Sequence, residues 1–429
     1  MSGWGSATAG ILAARAATLA MNALTGVVLA RQLAPSGRGT YYVLISVAIM
    51  AHMIGNLSID QALVTRWQRA GERPALRANC LLLGPLLGMV AAGVAAVAAT
   101  TLGSYDGESL AIALLAPAVV ITSTLLAGVL GLDGRVALVA WGSFAGSATQ
   151  FILLLALAGS GRLTVAAAVP IWVLSTVVPL ALYLRGGVRL ADADPALALR
   201  SLAVGARNHV GLVAIAVMLR VDLLMIDTAE SARAAGLFSV ATTLIDLVYV
   251  ATSSLSLAAL SRQATAEDGD AAEITARATR AAGLLGAGAT LVLCGTAPVL
   301  IPLVYGADFR DSLAPLLGLA PGLLVFAATR PVWTHLLRLN RTGTATVMAL
   351  SMFGLNVLLS LLLLPRFGAL GCAIASSVSY GGFGLLQTAW FLRASGLPVS
   401  AVVAGPAEVR ALLGALRRFA TRRRRVPVA

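Results

Sequence analysis

The chain has 429 residues, of which 59% are hydrophobic and only 11% charged. A soluble domain usually carries about 25% charged residues, so a chain this long lacks the polar surface of a soluble protein. Its net charge is +13 and all 31 basic residues are arginine. The absence of lysine excludes a P-loop phosphate cradle and Schiff-base chemistry.

Apolar runs of about 20 residues recur along the whole length, each long enough to cross roughly 30 Å of hydrocarbon. Without strict alternation they read as helices, which with closed barrels are the only backbones that span lipid. The first two spans are predicted at 9–30 and 40–65, and the next four at 79–102, 109–130, 136–158 and 164–184. A polar segment from Arg185 to Arg207 then separates two halves. The second six are predicted at 208–227, 235–259, 281–304, 313–336, 343–364 and 369–392, before a basic tail. The expected organisation is an N-terminal lobe over 1–190, a linker over 191–207, a C-terminal lobe over 208–395 and a tail over 396–429. The expected fold class is thus an all-α membrane protein of about twelve helices.

Each of Cys80, Cys294 and Cys372 falls in a predicted span, which makes a disulfide framework or zinc site a poor reading. The N-terminus lacks the basic region of a signal peptide, and Arg15 interrupts its first apolar stretch.

Arginines fix the orientation. With the N-terminus in the cytoplasm, inner loops carry Arg66, Arg69, Arg73 and Arg77, then Arg185, Arg189, Arg200 and Arg207. Arg262, Arg277 and Arg280, then Arg338 and Arg341, follow on the same side. Outer loops hold only Arg31, Arg38, Arg162, Arg233, Arg310 and Arg366. This positive-inside asymmetry explains most of the net charge without nucleic acid and puts both termini inside. In the tail, Val409, Leu412, Leu413, Leu416 and Phe419 share a helical face beside Arg410, Arg417, Arg418 and Arg422 to Arg425. That pattern suits a surface helix on anionic lipid or a solvated topogenic tail.

The halves show a weak repeat. Gly39-Thr40-Tyr41-Tyr42-Val43 opens the second span, and Gly236-Leu237-Phe238-Ser239-Val240 opens the eighth. Two lobes of six helices around a cytoplasmic connection is a common transporter plan. Gly84/Gly88 and Gly142/Gly146 have the spacing that lets helices pack closely. Glycines with Pro298 and Pro302 in the ninth span fit a hinge or ordinary packing.

Charges inside hydrocarbon cost at least ~2.5–3.5 kcal/mol, so they face the interior and are functional candidates by default. Arg15 lies in the first span, with Thr18, Asn22 and Thr25 along the same stripe. It can grip a phosphate or diphosphate, or snorkel to the headgroups. The seventh span holds Arg220 and Asp222, with Asn208, His209 and Asp227 near its ends. Two residues apart, Arg220 and Asp222 do not face each other, so each calls for a partner on another helix. Those partners make either a structural ion pair or a substrate site. Asp246, in the middle of the eighth span, shares a face with Ser239, Thr242, Tyr249 and Ser253. It suits proton coupling, a counter-charge for Arg15 or Arg220, or a structural salt bridge. Arg330 lies about two turns from the inner side and within reach of a cavity. His52 and His335 read as satisfied interior histidines. No GxSxG, zinc spacing or carboxylate pair supports catalysis or a cofactor.

Three stretches resemble a known family. The first is LARQLAPSGRGTYYVLISVAIM, from Leu29 to Met50. The second begins at Leu219, where Arg220-Val221-Asp222 precedes Gly236-Leu237-Phe238-Ser239 and then Asp246. The third runs through Asn356, Pro365-Arg366-Phe367-Gly368 and Gly371 to Ser376. Together they resemble Wzx-type polysaccharide flippases of the multidrug/oligosaccharidyl-lipid/polysaccharide exporter superfamily. The resemblance implies two six-helix lobes in a MATE-like V around a central, often cationic cavity. It implies alternating access and flipping of undecaprenyl-diphosphate-linked saccharide in the bacterial cytoplasmic membrane, with proton or sodium coupling common. Twelve spans set the chain apart from fourteen-helix members such as lipid II flippases.

A multidrug or cation antiporter of the same fold is the competing reading. It calls for a carboxylate cluster in one lobe, whereas the N-terminal half offers only Asp60 within a span. A membrane enzyme would need clustered acids or histidines at one face. The implied substrate site comprises Arg15, Asn22, Arg220, Asp222, Asp246 and Arg330.

Overall fold

A computed structural model describes residues 2–102, 107–187, 189–339, 341–405 and 409–410. Among them the regular structure is entirely helical. The N-terminal half contains α1 (Ser2–Gly55), α2 (Ile59–Arg66), α3 (Arg73–Leu102), α4 (Gly107–Ala113), α5 (Ala116–Leu132), α6 (Val136–Gly159) and α7 (Val165–Leu184). The C-terminal half contains α8 (Pro195–Met218), α9 (Val221–Ala229), α10 (Ala232–Thr265), α11 (Asp268–Val304), α12 (Leu313–Ala328), α13 (Arg330–Arg338), α14 (Thr342–Phe367) and α15 (Ala369–Ser395).

Helix α1 is a hairpin rather than a rod. Ala34, ahead of Pro35, has φ 53° and breaks the helical path. In a straight helix residues 26 and 42 would lie ~24 Å apart. Here a Cβ on Gly26 would sit 3.8 Å from the Tyr42 hydroxyl, and Arg38 donates to the Gly26 carbonyl. The arms before and after Ala34 are therefore the first two predicted spans.

Several other predicted spans are broken. The second ends at Gly55, and α2 begins only after Asn56-Leu57-Ser58. Leu57 (φ 45°) and Ser58 (φ 49°) hold left-handed conformations that non-glycine residues rarely adopt. The fourth span is split between α4 and α5, the tenth at Thr329 between α12 and α13, and the seventh at Arg220 between α8 and α9. The ninth span is one unbroken helix, α11, despite Pro298 and Pro302.

The segment expected as a linker, 191–207, carries helix of its own. It is helical from Pro195, where Asp194 caps α8 by accepting from the amides of Ala196 and Leu197. A 59° bend separates Pro195–Ala206 from His209–Met218. Ten stretches among the described residues are long and apolar enough to cross a membrane. With the α1 hairpin taken as two crossings and the bent pair within α8 as one, the count among the described residues is twelve. The side chains of Arg207 and Asn208, Asp106, and the basic tail beyond Arg410 lie outside what is described.

Helices pack chiefly within their own half: α1 with α6 and α3 with α5 in one, α12 and α14 with α15 in the other. One apolar core surrounds Phe238, Phe326, Trp333 and Phe383. Two others surround Leu29 with Tyr41 and Ile59 with Leu125. The outer faces expose Val97, Leu291, Val299 and Leu361, as a lipid-facing surface requires. The glycines at 84 and 88 act as their spacing suggests: Cβ atoms there would lie 2.4 Å from Thr122 Oγ1 and 2.2 Å from Ala118 Cα.

Candidate transport site

The break in the seventh span aims Arg220 at α10. Its Nη2 lies 3.9 Å from Asp246 Oδ2, with the two side chains 35% and 46% exposed. Thr242, Asp246 and Tyr249 are spaced to share one face of α10. They line a cavity of about 220 Å³ with Arg220, Leu319, Leu323, Tyr380 and, from the other half, Met53. The Arg330 guanidinium stands 5.5 Å from the centre of the Tyr249 ring, and its Nε is buried without a partner. The charged side chains lining this pocket are thus the pair Arg220 and Asp246, with Arg330 against the Tyr249 ring rather than in the lining.

An apolar groove of about 340 Å³ runs beside it along the seam between the halves. Val47, Met50 and Ile54 of α1, residues from Leu87 to Ala99 of α3, and Val217 and Leu224 of α8 and α9 line it. The twelve helical steps from Leu87 to Ala99 extend it over roughly 18 Å. Val217 and Leu224 flank Arg220 in sequence, so the apolar groove and the charged pocket meet at one irregular stretch of chain.

Asp222 is not part of this cavity, contrary to the sequence-based expectation. About 200° of helical rotation separates it from Arg220. It is 2% exposed and packed among α9, α14 and α15. Ser376 and Ser360 donate to its carboxylate, and Asn356 Nδ2 donates to Ser376 Oγ at 2.9 Å. Asn356 Oδ1 is buried without a partner. The result is a dry nest of oxygens around one carboxylate.

Arg15 and Asn22 occupy a third place. Both are exposed on the first arm of α1, and Arg15 makes no hydrogen bond or ion pair among the described residues. Asn22 lines a separate cavity inside the N-terminal half. The six predicted residues thus divide: Arg220, Asp246 and Arg330 come together, Asp222 is sequestered, and Arg15 with Asn22 lies apart. Asp60 belongs to α2, beyond the break, and is exposed.

The halves touch on either side of the charged pocket. At the end that the arginine count assigns to the outside, a Cβ on Gly39 would fall 1.7 Å from the Ala232 carbonyl oxygen, and one on Gly236 1.8 Å from that of Pro35. Each glycine meets the carbonyl four residues before the other, the reciprocal contact of a pseudo-twofold axis. Arg38 seals this contact. It is 0% exposed and donates to Ser239 Oγ at 2.9 Å, with Thr243 Oγ1 at 3.4 Å. Its guanidinium also lies over the rings of Tyr42, Tyr305 and Phe309. Arg31 donates to the carbonyls of Leu303 and Val304 at the end of α11. Arg31 and Arg38 thus flank the Ala34 reversal between the two arms of α1, and Arg38 is enclosed there by the other half.

At the inner end the Ser58 hydroxyl lies 3.1 Å from His209 Nδ1, and His209 Nε2 lies 2.7 Å from the Ile54 carbonyl. A Cβ on Gly205 would approach the Leu57 carbonyl oxygen to 2.2 Å. Sequence reasoning missed Arg38 as a buried group. Its flanking glycines and the hydroxyl pair Ser239/Thr243, at i,i+4 on α10, were the available signal.

This architecture, two sets of helices meeting at paired glycines around a polar pocket, is similar in fold to several solved membrane-protein structures. One is "Lipid II flippase MurJ, inward closed conformation", with TM-score 0.73 and 12% identity, covering 91% of this chain and 88% of that one. Another is an inward-facing multidrug resistance MATE transporter of the MOP superfamily, with TM-score 0.69 and 15% identity, covering 89% and 94%. An outward-facing MATE transporter matches with TM-score 0.63 and 13% identity, covering 90% and 94%. No family model matches the chain, and no curated protein matches its sequence.

Proposed function

We propose that this chain carries a lipid-linked saccharide with an anionic, diphosphate-type linkage across a bacterial cytoplasmic membrane by alternating access. The observation that carries this reading is that the apolar groove and the pocket holding Arg220 and Asp246 are lined from the same irregular stretch, Ala216 to Leu224. An amphipathic ligand fits both at once, with its chain in the groove and its anionic linkage at the Arg220 guanidinium. An organic cation finds Asp246 already facing Arg220, which favours the lipid-linked anion over an antiporter's cargo. An anion at Arg220 competes with Asp246, so its arrival alters the charge balance between the two end contacts and shifts their populations.

The nest around Asp222 is the place for ion coupling. It offers a carboxylate and neutral oxygens away from the substrate pocket, where a proton or sodium ion would relieve a buried negative charge.

The test is translocation by the purified protein in liposomes. A polyprenyl diphosphate bearing a labelled saccharide, supplied in one leaflet, should become accessible to a saccharide-modifying enzyme on the other side. Gradient-driven movement of an organic cation, with no movement of the lipid-linked saccharide, would establish the antiporter reading instead.

A further inference from the structure

The N-terminal half holds a second cavity, of about 410 Å³, formed by the first arm of α1 with α5, α6 and α7. Not one ionisable carboxylate, guanidinium or imidazole lines it. Instead Asn22, Ser123, Thr124, Ser147, Gln150 and Trp172 face it, from four helices. Asn22, Ser123, Thr124 and Ser147 make no hydrogen bond among the described residues. The Gln150 amide donates to Tyr41 at 3.0 Å, which leaves its carbonyl oxygen facing the cavity.

These groups lie midway along predicted spans, at the depth of hydrocarbon. Polar side chains there are costly unless a partner satisfies them. The partner must bring many donors and acceptors, because hydroxyls and amides offer both. It carries no charge, because no counter-charge waits for it: a phosphate would want arginine and an amine would want a carboxylate. Trp172 adds a flat apolar face beside those hydrogen-bonding groups. Water meets the first demand but makes no use of the indole face. A sugar ring, with equatorial hydroxyls and an apolar C–H face, meets both.

Position ties this cavity to the charged substrate linkage. Arg15 and Asn22 are seven residues apart, within about 20° on the same helix face and ~10 Å apart along it. A cation at Arg15 thus precedes the neutral cavity along one stripe.

Resting on the proposed function, we infer that this cavity is the glycan subsite: it receives the sugar residues while guanidinium groups hold the diphosphate. The substrate is then sorted by head group in the N-terminal half.

The test uses the full-length protein in liposomes with two lipids, polyprenyl diphosphate alone and polyprenyl diphosphate carrying one N-acetylhexosamine. Two variants remove the features at issue: Ser147→Ala with Thr124→Val takes away two hydroxyls at nearly constant volume, and Trp172→Ala takes away the aromatic face. Each should weaken binding of the glycosylated lipid by at least about tenfold, the scale of one or two net hydrogen bonds or a lost ring contact. Binding of the bare diphosphate should stay at the wild-type level, which also shows that the variants fold. Equal loss for both lipids, or no loss for either, overturns the glycan subsite while the lipid-carrier reading stands. Wild-type protein that binds neither lipid overturns the lipid-carrier reading itself.

Discussion

Arg220 and Asp246 show how a charge in lipid becomes informative once its partner is known. At 3.9 Å, both partly exposed to a cavity, they form a loose pair that a substrate can open rather than a buried lock. Arg220→Ala should abolish saccharide export in cells lacking the native protein. If the pair were only structural, Arg220→Ala/Asp246→Ala would restore export by removing both charges together; the double variant should instead accumulate normally and remain inactive. Arg15→Ala should likewise reduce export by at least about tenfold, a loss of ~1.4 kcal/mol or more in grip on the anion. Arg162→Ala, on an exposed turn, is the control and should export at the wild-type level. Asp222 belongs to a different experiment, because Ser360, Ser376 and Asn356 enclose it away from the cavity. Asp222→Asn should fold and still bind lipid-linked saccharide, while transport in liposomes loses its response to an imposed proton or sodium gradient. An undiminished response would remove the coupling role from this nest. All six site residues were legible as polar groups in apolar runs. Their division into three places was not, because helical periodicity gives the side of one helix and says nothing about which neighbour covers it.

At the scale of elements, breaks matter more than spans. Hydropathy located each crossing, yet it read through Asn56–Ser58, Arg220 and Thr329, since an interruption of one to three residues leaves a window of about 20 residues just as apolar. Two breaks, at Ala34 and at Asn56–Ser58, sit where the halves touch. Near the outer one, Arg38 replaces a carboxylate partner with hydroxyls, a carbonyl and three aromatic rings. Arg38→Ala should loosen that contact and favour the outward-open form. In a cysteine-free background, Thr243→Cys should then react with a membrane-impermeant maleimide several-fold faster in the Arg38→Ala variant. Unchanged reactivity would show that the outer contact holds without the guanidinium. Gly236→Leu should act in the same direction more strongly, since even a Cβ there falls 1.8 Å from the Pro35 carbonyl. The glycines were visible as a weak repeat, but their mutual contact was not: reciprocal packing across a pseudo-twofold axis is a relation between distant segments.

For the whole molecule the prediction is topological. Arginine counting puts position 73 in the cytoplasm and position 106 outside. Single cysteines there, probed from the outer side, should label at 106 and stay silent at 73; the opposite pattern would invert every assignment of inner and outer contact made above.

The sequence by itself determined that the chain is a helical, many-spanning membrane protein, in about twelve crossings and two halves, with charge placed at a few interior positions. Those properties follow from local composition, because each span must satisfy its own backbone in lipid whatever its neighbours do. Tertiary structure alone decided which charges meet, that Asp222 turns away from the cavity, that Arg38 is enclosed, and that an apolar groove reaches the charged pocket. The physical reason is that pairing and enclosure depend on how helices far apart in sequence pack against one another. Lipid gives little hydrophobic preference for one face of an apolar helix over another, so the contacts that choose the faces are small residues and polar partners supplied by other helices.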